Sequence, residues 1–182
     1  MSAGTAANVT TGKRRVDGGI YIAPVTATLP TDASTALGTA FHNIGYISED
    51  GVTNSQSRTS QDIKEWNGDT VCSVSTGFSN TWKIKFIESL NVEVLKAVFG
   101  EDNVTEANGK ISVAINSSET DEYAFVIDMA AAGDKLKRVV IPRGKITQLG
   151  DVVYKATDAV AYDATLTTYV DASGNYQYEY IE

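Results

Sequence analysis

Cysteine and histidine are almost absent: the 182-residue chain carries one of each. One cysteine excludes an intramolecular disulfide, and one of each excludes a Cys/His zinc cluster within a subunit. Proline is scarce, with three residues, and no apolar run approaches the ~18 residues of a membrane-spanning helix. The first apolar run is too short, and wrongly flanked, for a secretory signal, so none is expected. The Asn-Val-Thr stretches at Asn8 and Asn103 then carry no glycosylation meaning. Positive charge is also in deficit, with 15 Lys+Arg against 23 Asp+Glu and a formal charge of −8. Lys13-Arg14-Arg15 is the one basic triplet, and Lys135, Lys137 and Arg138 form a looser group. Holding nucleic acid requires clustered cations. No grip on DNA is expected, although an acidic surface can face DNA without binding it.

Reaction signatures are missing as well. Neither a GxGxxG nor a GxxxxGK[ST] stretch occurs, so nucleotide binding has no support. His42, the sole imidazole, falls inside an expected strand with no nucleophile elbow in the chain. Cys72, between Val71 and Ser73, reads as a half-buried strand thiol. Glu49-Asp50 and Glu101-Asp102 are neighbouring carboxylates at turns, without a legible cleft. Asp171-Ala-Ser-Gly-Asn175 matches half of a calcium loop but lacks the later ligands, and it reads as a turn. No enzyme activity, cofactor or metal is expected.

What is present is a folding sequence, 42% hydrophobic and 21% charged. A compact monomer of this size would expose roughly 8,500 Å² and bury about 70% of its extended-chain surface. Residues 1–18, small and Gly-rich, read as a flexible N-terminal arm, and residues 19–182 as a single domain. Short strands are expected at Gly19–Ala23, Phe41–Ile47, Thr70–Val74 and Asn80–Ile87. In the last of these, Trp82, Ile84 and Phe86 share one face, with Lys83 and Lys85 on the other. More strands follow Asn108-Gly109, a hairpin turn signal: Lys110–Ile115, Asp121–Met129 and Lys135–Ile141, the last stopped by Pro142. Lys145–Leu149, Val152–Thr157, Ala164–Val170 and Tyr176–Ile181 complete the set, and Ala130–Asp134 reads as a turn. One helix is expected, Ser89–Phe99, capped by Ser89, with Leu90, Val94, Leu95, Val98 and Phe99 as its packing stripe. The fold class is mainly β: an antiparallel sandwich or barrel with one flanking helix.

Ser48–Gly77 is too polar for a core and reads as a protruding hairpin. Turn signals stand at Glu49-Asp50-Gly51 and Asn67-Gly68-Asp69, and Ile63 and Trp66 are the few apolar anchors. Intersubunit contacts are expected from Ser48, Glu49, Asp50, Val52, Arg58, Ile63, Trp66 and Asp69. A bare N-terminal segment, strand edges and an oversized polar hairpin suit a unit of an assembly. A carbohydrate-binding sandwich would share most of these properties.

Three stretches resemble the major tail (tail tube) proteins of long-tailed bacteriophages. They are Gly45-Tyr46-Ile47-Ser48-Glu49-Asp50-Gly51-Val52, then Asp62-Ile63-Lys64-Glu65-Trp66-Asn67-Gly68-Asp69-Thr70-Val71 followed by Lys85-Phe86-Ile87-Glu88 and the helix, and finally Tyr162-Asp163-Ala164-Thr165-Leu166-Thr167 with Asp171 to Asn175. The resemblance implies a homo-oligomer: six subunits per ring, and rings stacked into a tube around a tape measure protein. The tube meets tail terminator and distal tail proteins, and it conducts DNA at infection through a usually acidic lumen. It also implies a place in the virion tail after assembly in the host cytoplasm, stacking contacts from the segment matching Ser48–Gly77, and no enzyme activity. Lys83 and Lys85 would suit an outer or intersubunit face better than such a lumen. Another ring-forming phage protein, a tail terminator or head–tail connector, stays open as an alternative.

Overall fold

The computed structural model describes residues 9–15, 19–131 and 135–182. Among them the strands are β1 (Lys13–Arg14), β2 (Ile20–Pro24), β3 (His42–Asn43), β4 (Ile47–Lys64), β5 (Thr70–Phe86), β6 (Val104–Ala107), β7 (Lys110–Val113), β8 (Tyr123–Ala130), β9 (Leu136–Leu149), β10 (Tyr162–Thr168) and β11 (Tyr178–Ile181), with one α-helix, α1 (Val92–Phe99). The chain is therefore mainly β, and its strand pairs are antiparallel. Nine strands make one sheet in the path β3-β2-β8-β9-β10-β5-β4, with β1 beside β8 and β11 beside β9, while β6 and β7 pair separately. Ile44-Gly45-Tyr46 alone separates β3 from β4, so the chain links the two ends of the path and the sheet curls round on itself. Backbone bonds from Ile44 to the Ile20 carbonyl (3.0 Å) and from Ile87 to the Tyr46 carbonyl (3.2 Å) hold this join.

Period-two alternation supplies the core. Ile20, Ile22, Phe125, Ile127, Val139, Ile141, Leu166, Trp82, Ile84 and Phe86 point inward together. The other face of β8 and β9 is also covered. Arg138, opposite Asp128 in the register, grips that carboxylate with two bonds of 2.6 and 2.8 Å and donates to the carbonyls of Asp32 (3.1 Å) and Thr35 (2.8 Å). This pins the segment between β2 and β3 across the back of the sheet, where Ala33 is buried.

Several expected boundaries move. Pro142 does not stop a strand; β9 passes through it at a bulge, where Phe125 pairs with Ile141 and Tyr123 with Gly144. Gly144 makes room there, since a Cβ would come 2.8 Å from Leu166 Cδ1 and displace core side chains. The Phe41–Ile47 strand shrinks to a two-residue β3 because Gly45, at φ 76°, turns the chain. Val152–Thr157 forms no strand: β10 already occupies the edge of β9, so Val153 and Tyr154 are left exposed. Thr70–Val74 and Asn80–Ile87 merge into one strand, β5.

The helix begins later than expected. Asn91, not Ser89, is its cap, accepting the Glu93 N–H at 3.0 Å, and the Glu88 carboxylate steadies Asn91 and the Tyr46 N–H. Leu90 therefore lies outside the helix and is 81% exposed, which corrects its place on the packing stripe. Val94, Leu95 and Val98 are buried, and Phe99 meets the Tyr162 ring edge-on at 5.6 Å. Of the expected arm, residues 1–8 and 16–18 lie outside the described residues, as do 132–134 of the expected Ala130–Asp134 turn; Lys13–Arg14 pairs with β8.

Candidate assembly interface

The hairpin of β4 and β5 is longer than its sequence announces. Pairing runs from Ile47↔Phe86 at its base to Lys64↔Thr70 near its tip. At the base, β4 spends six residues, from Ile47 to Val52, where β5 spends three, from Phe86 to Ile84. The Glu49-Asp50-Gly51 signal is thus a bulge thrown out of β4, with Gly51 at φ 72° and Ser48 Oγ donating to Asp50 Oδ2 at 2.8 Å.

The lower half of the hairpin is bolted to the core. Trp82 Nε1 and Asn80 Nδ2 both donate to Gln177 Oε1 (3.0 and 2.8 Å), Asn54 Nδ2 donates to Asn80 Oδ1 (2.6 Å), and Thr168 Oγ1 donates to the Asn80 carbonyl (3.0 Å). These bonds satisfy a buried amide that would otherwise destabilise the fold. Phe78 packs edge-on against Tyr176 at 4.8 Å, and the Arg58 guanidinium lies 4.6 Å above the Phe78 ring.

Beyond that point support ends. Every residue of β4 from Ser55 onward is exposed, and so is every residue of β5 up to Gly77. A second bulge at Thr59/Ser60 precedes a tight tip, in which Glu65 N–H donates to the Asp69 carbonyl and Gly68 N–H to the Glu65 carbonyl, each at 2.9 Å. Gly68, at φ 95°, supplies the turn that the Asn67-Gly68-Asp69 signal announces. Trp66 stands there fully exposed, with Ile63, Val71 and Val74 each about half exposed or more. Ile63 pairs with Cys72 and shares a face with Val74, while Val71 takes the other face, so both faces of the tip expose apolar side chains and the tip is a candidate contact surface.

A model of a protein family described as phage tail tube protein matches residues 9–182. The chain belongs to the phage tail tube protein family. No curated protein matches it. This tail tube protein is a structural component of the phage tail, and its place is in the virion. Among the described residues no helix is long and apolar enough to cross a membrane.

The eight expected contact residues of the tail tube protein do not converge. Ser48, Glu49, Asp50 and Val52 sit at the hairpin base, with Val52 packed against the core. Arg58 is midway, and Ile63, Trp66 and Asp69 lie at or beside the tip. Lys64 lies twelve positions beyond Val52, about 40 Å along the ribbon. Sequence reasoning missed Val71, Cys72 and Val74, whose apolar character reads as a return to the core; Cys72 is exposed. It also missed Tyr176 and Gln177, whose only signal is their place just before the closing strand.

Lys83 and Lys85 are exposed on the sheet face opposite Trp82, Ile84 and Phe86, beside Thr53, Thr81 and Thr165 in the register. That face presents hydroxyl groups and the two lysines, with Asp163 opposite Lys85, unlike the apolar hairpin tip.

Proposed function

We propose that this tail tube protein is a self-assembling ring subunit whose rings, hexameric by the family resemblance, stack into a tube. The projecting hairpin makes the contacts between copies. The tube encloses the tape measure protein, ends on tail terminator and distal tail proteins, and conducts DNA at infection, after assembly in the host cytoplasm. The subunit is a single domain, 19–182, with an N-terminal arm, and its role is structural, without a reaction of its own.

The observation that carries this reading is the outer half of the β4–β5 hairpin, exposed on both faces and tipped by a fully exposed Trp66. Ordering such a ribbon costs conformational entropy that its own contacts do not offset. A partner surface offsets it. Whole-chain area agrees: the monomer exposes 11,506 Å², against roughly 8,500 Å² for a compact monomer of its size. The charge of −8 supports passage of DNA, because a channel of net negative potential repels phosphate instead of trapping it.

Negative-stain electron microscopy of the concentrated protein tests the reading. Stacked tubes with a central pore are expected. Single closed rings would favour a terminator or connector role, and dispersed monomers would overturn the proposal.

A further inference from the structure

The hairpin has a tip that seeks cover, and the same chain carries a groove that offers it. Where the curled sheet joins its ends, Ile20, Ile47, Val52, Ile127 and Met129 line an open groove of 340 Å³ with Lys13 at its margin. The bulge of β4 opens this groove: Ser48 and Glu49 are thrown outward and Ile47 and Val52 flank the gap. The floor is apolar and its side chains belong to the core, so its shape is fixed before any partner arrives.

Charge selects the occupant. The tip carries Asp62, Glu65 and Asp69 against one cation, Lys64. The β1 margin of the groove carries Lys13, and Arg15 lies next to it on Asp128. On the opposite margin Glu49 has the sign that suits Lys64. Asp128, also at the groove, is already taken by Arg138 and by Arg15 at 3.7 Å. An acidic tip with an aromatic anchor and an apolar groove with a basic margin are complementary in both respects. Within one chain they lie at opposite ends of a ribbon about 40 Å long. They meet only between copies.

We propose that the hairpin tip of one copy seats Trp66 in the groove between β1, the β4 bulge and β8 of a second copy. The contact is head to tail: each copy gives a tip and receives one, so it propagates without closing on a pair. Apart from Arg58, midway along the ribbon, the expected contact residues then fall on the two halves of one interface, base and tip. The assignment rests on the tube reading and names the surface that receives the hairpin.

Directed cross-linking tests it. Cys72 is the single cysteine and is exposed, so a Cys72→Ser background is free of thiols. In that background Asn67→Cys, beside Trp66, is combined with Ser48→Cys on the groove margin, or with Thr165→Cys on the hydroxyl face as control. Assembled protein is oxidised with diamide and run on a non-reducing gel. The Ser48→Cys pair is expected to give a ladder of disulfide-linked multimers at least tenfold stronger than the Thr165→Cys pair. Tubes that form while the ladder appears only with Thr165→Cys, or with neither, overturn the groove assignment and leave the tube reading intact. Failure of the parent protein to polymerise at all overturns both. A Ser48→Cys thiol already protected from maleimide in the monomer also overturns the assignment, because the chain's own residues then fill the groove.

Discussion

At the scale of single residues, the least replaceable polar group is Arg138. Its side chain is 2% exposed, and it spends its donors on Asp128 and on two carbonyls of the segment crossing the back of the sheet. Removing one partner of a buried ion pair leaves the other charge uncompensated, at a cost of about 3–5 kcal/mol. Arg138→Met is expected to lose that much stability in urea unfolding, and Arg138→Met/Asp128→Leu to recover part of it. Asp171 acts differently, through pH. Its carboxylate accepts from the Tyr178 hydroxyl (2.6 Å) and from the backbone N–H groups of Asn175 and Ser173, which together hold its pKa below the ordinary aspartate value. A pKa lowered by folding means that the ionised form stabilises the native state. That contribution is present above the unfolded pKa of roughly 4 and is lost as pH falls through the folded value. Thermal melts from pH 6 to pH 3 should therefore decline less steeply for Asp171→Asn than for the parent; identical slopes would contradict the assignment.

At the scale of elements, the hairpin is two devices in one. Its lower half belongs to the core through Asn54, Asn80, Trp82 and Gln177, and its outer half stands exposed on both faces, the part that the proposed assembly assigns to a partner. Deleting residues 59–77 and closing the strands with a short glycine turn is expected to leave a folded monomer, with an unchanged β signature in circular dichroism, that no longer polymerises. Loss of the folded signature would show that the outer half supports the core after all. Legibility in the sequence follows the same division. Trp82, Ile84 and Phe86 alternate with two lysines, so a wet face and a dry face are written into the residues, and the structure has both. The outer hairpin carries no such period, since Ser, Thr and Gln fit either face, and its polarity alone reveals that it protrudes. Its full length is hidden because Gly77 and the serines around it resemble a break, whereas in the sheet they sit at and beside a bulge. Pro142 misleads for the same reason: a bulge tolerates proline within a strand, and no local residue announces it. The groove is not legible at all, because it is assembled from β1, β2, β4 and β8, and only the curl of the sheet brings those together.

At the scale of the whole molecule, the surplus of exposed area and the separation of tip from groove are what the proposed assembly requires of its subunit. The central claim is that Trp66 serves contact between copies and not the stability of its own chain. The critical concentration for polymerisation, followed by light scattering alongside the thermal midpoint, tests this most directly. Aromatic anchors at interface centres contribute about 2 kcal/mol or more, and about 1.4 kcal/mol is tenfold in an equilibrium constant. Trp66→Ala should raise the critical concentration more than tenfold while leaving the thermal midpoint within about 2 °C of the parent. An unchanged critical concentration, or a midpoint that falls with it, would contradict the account.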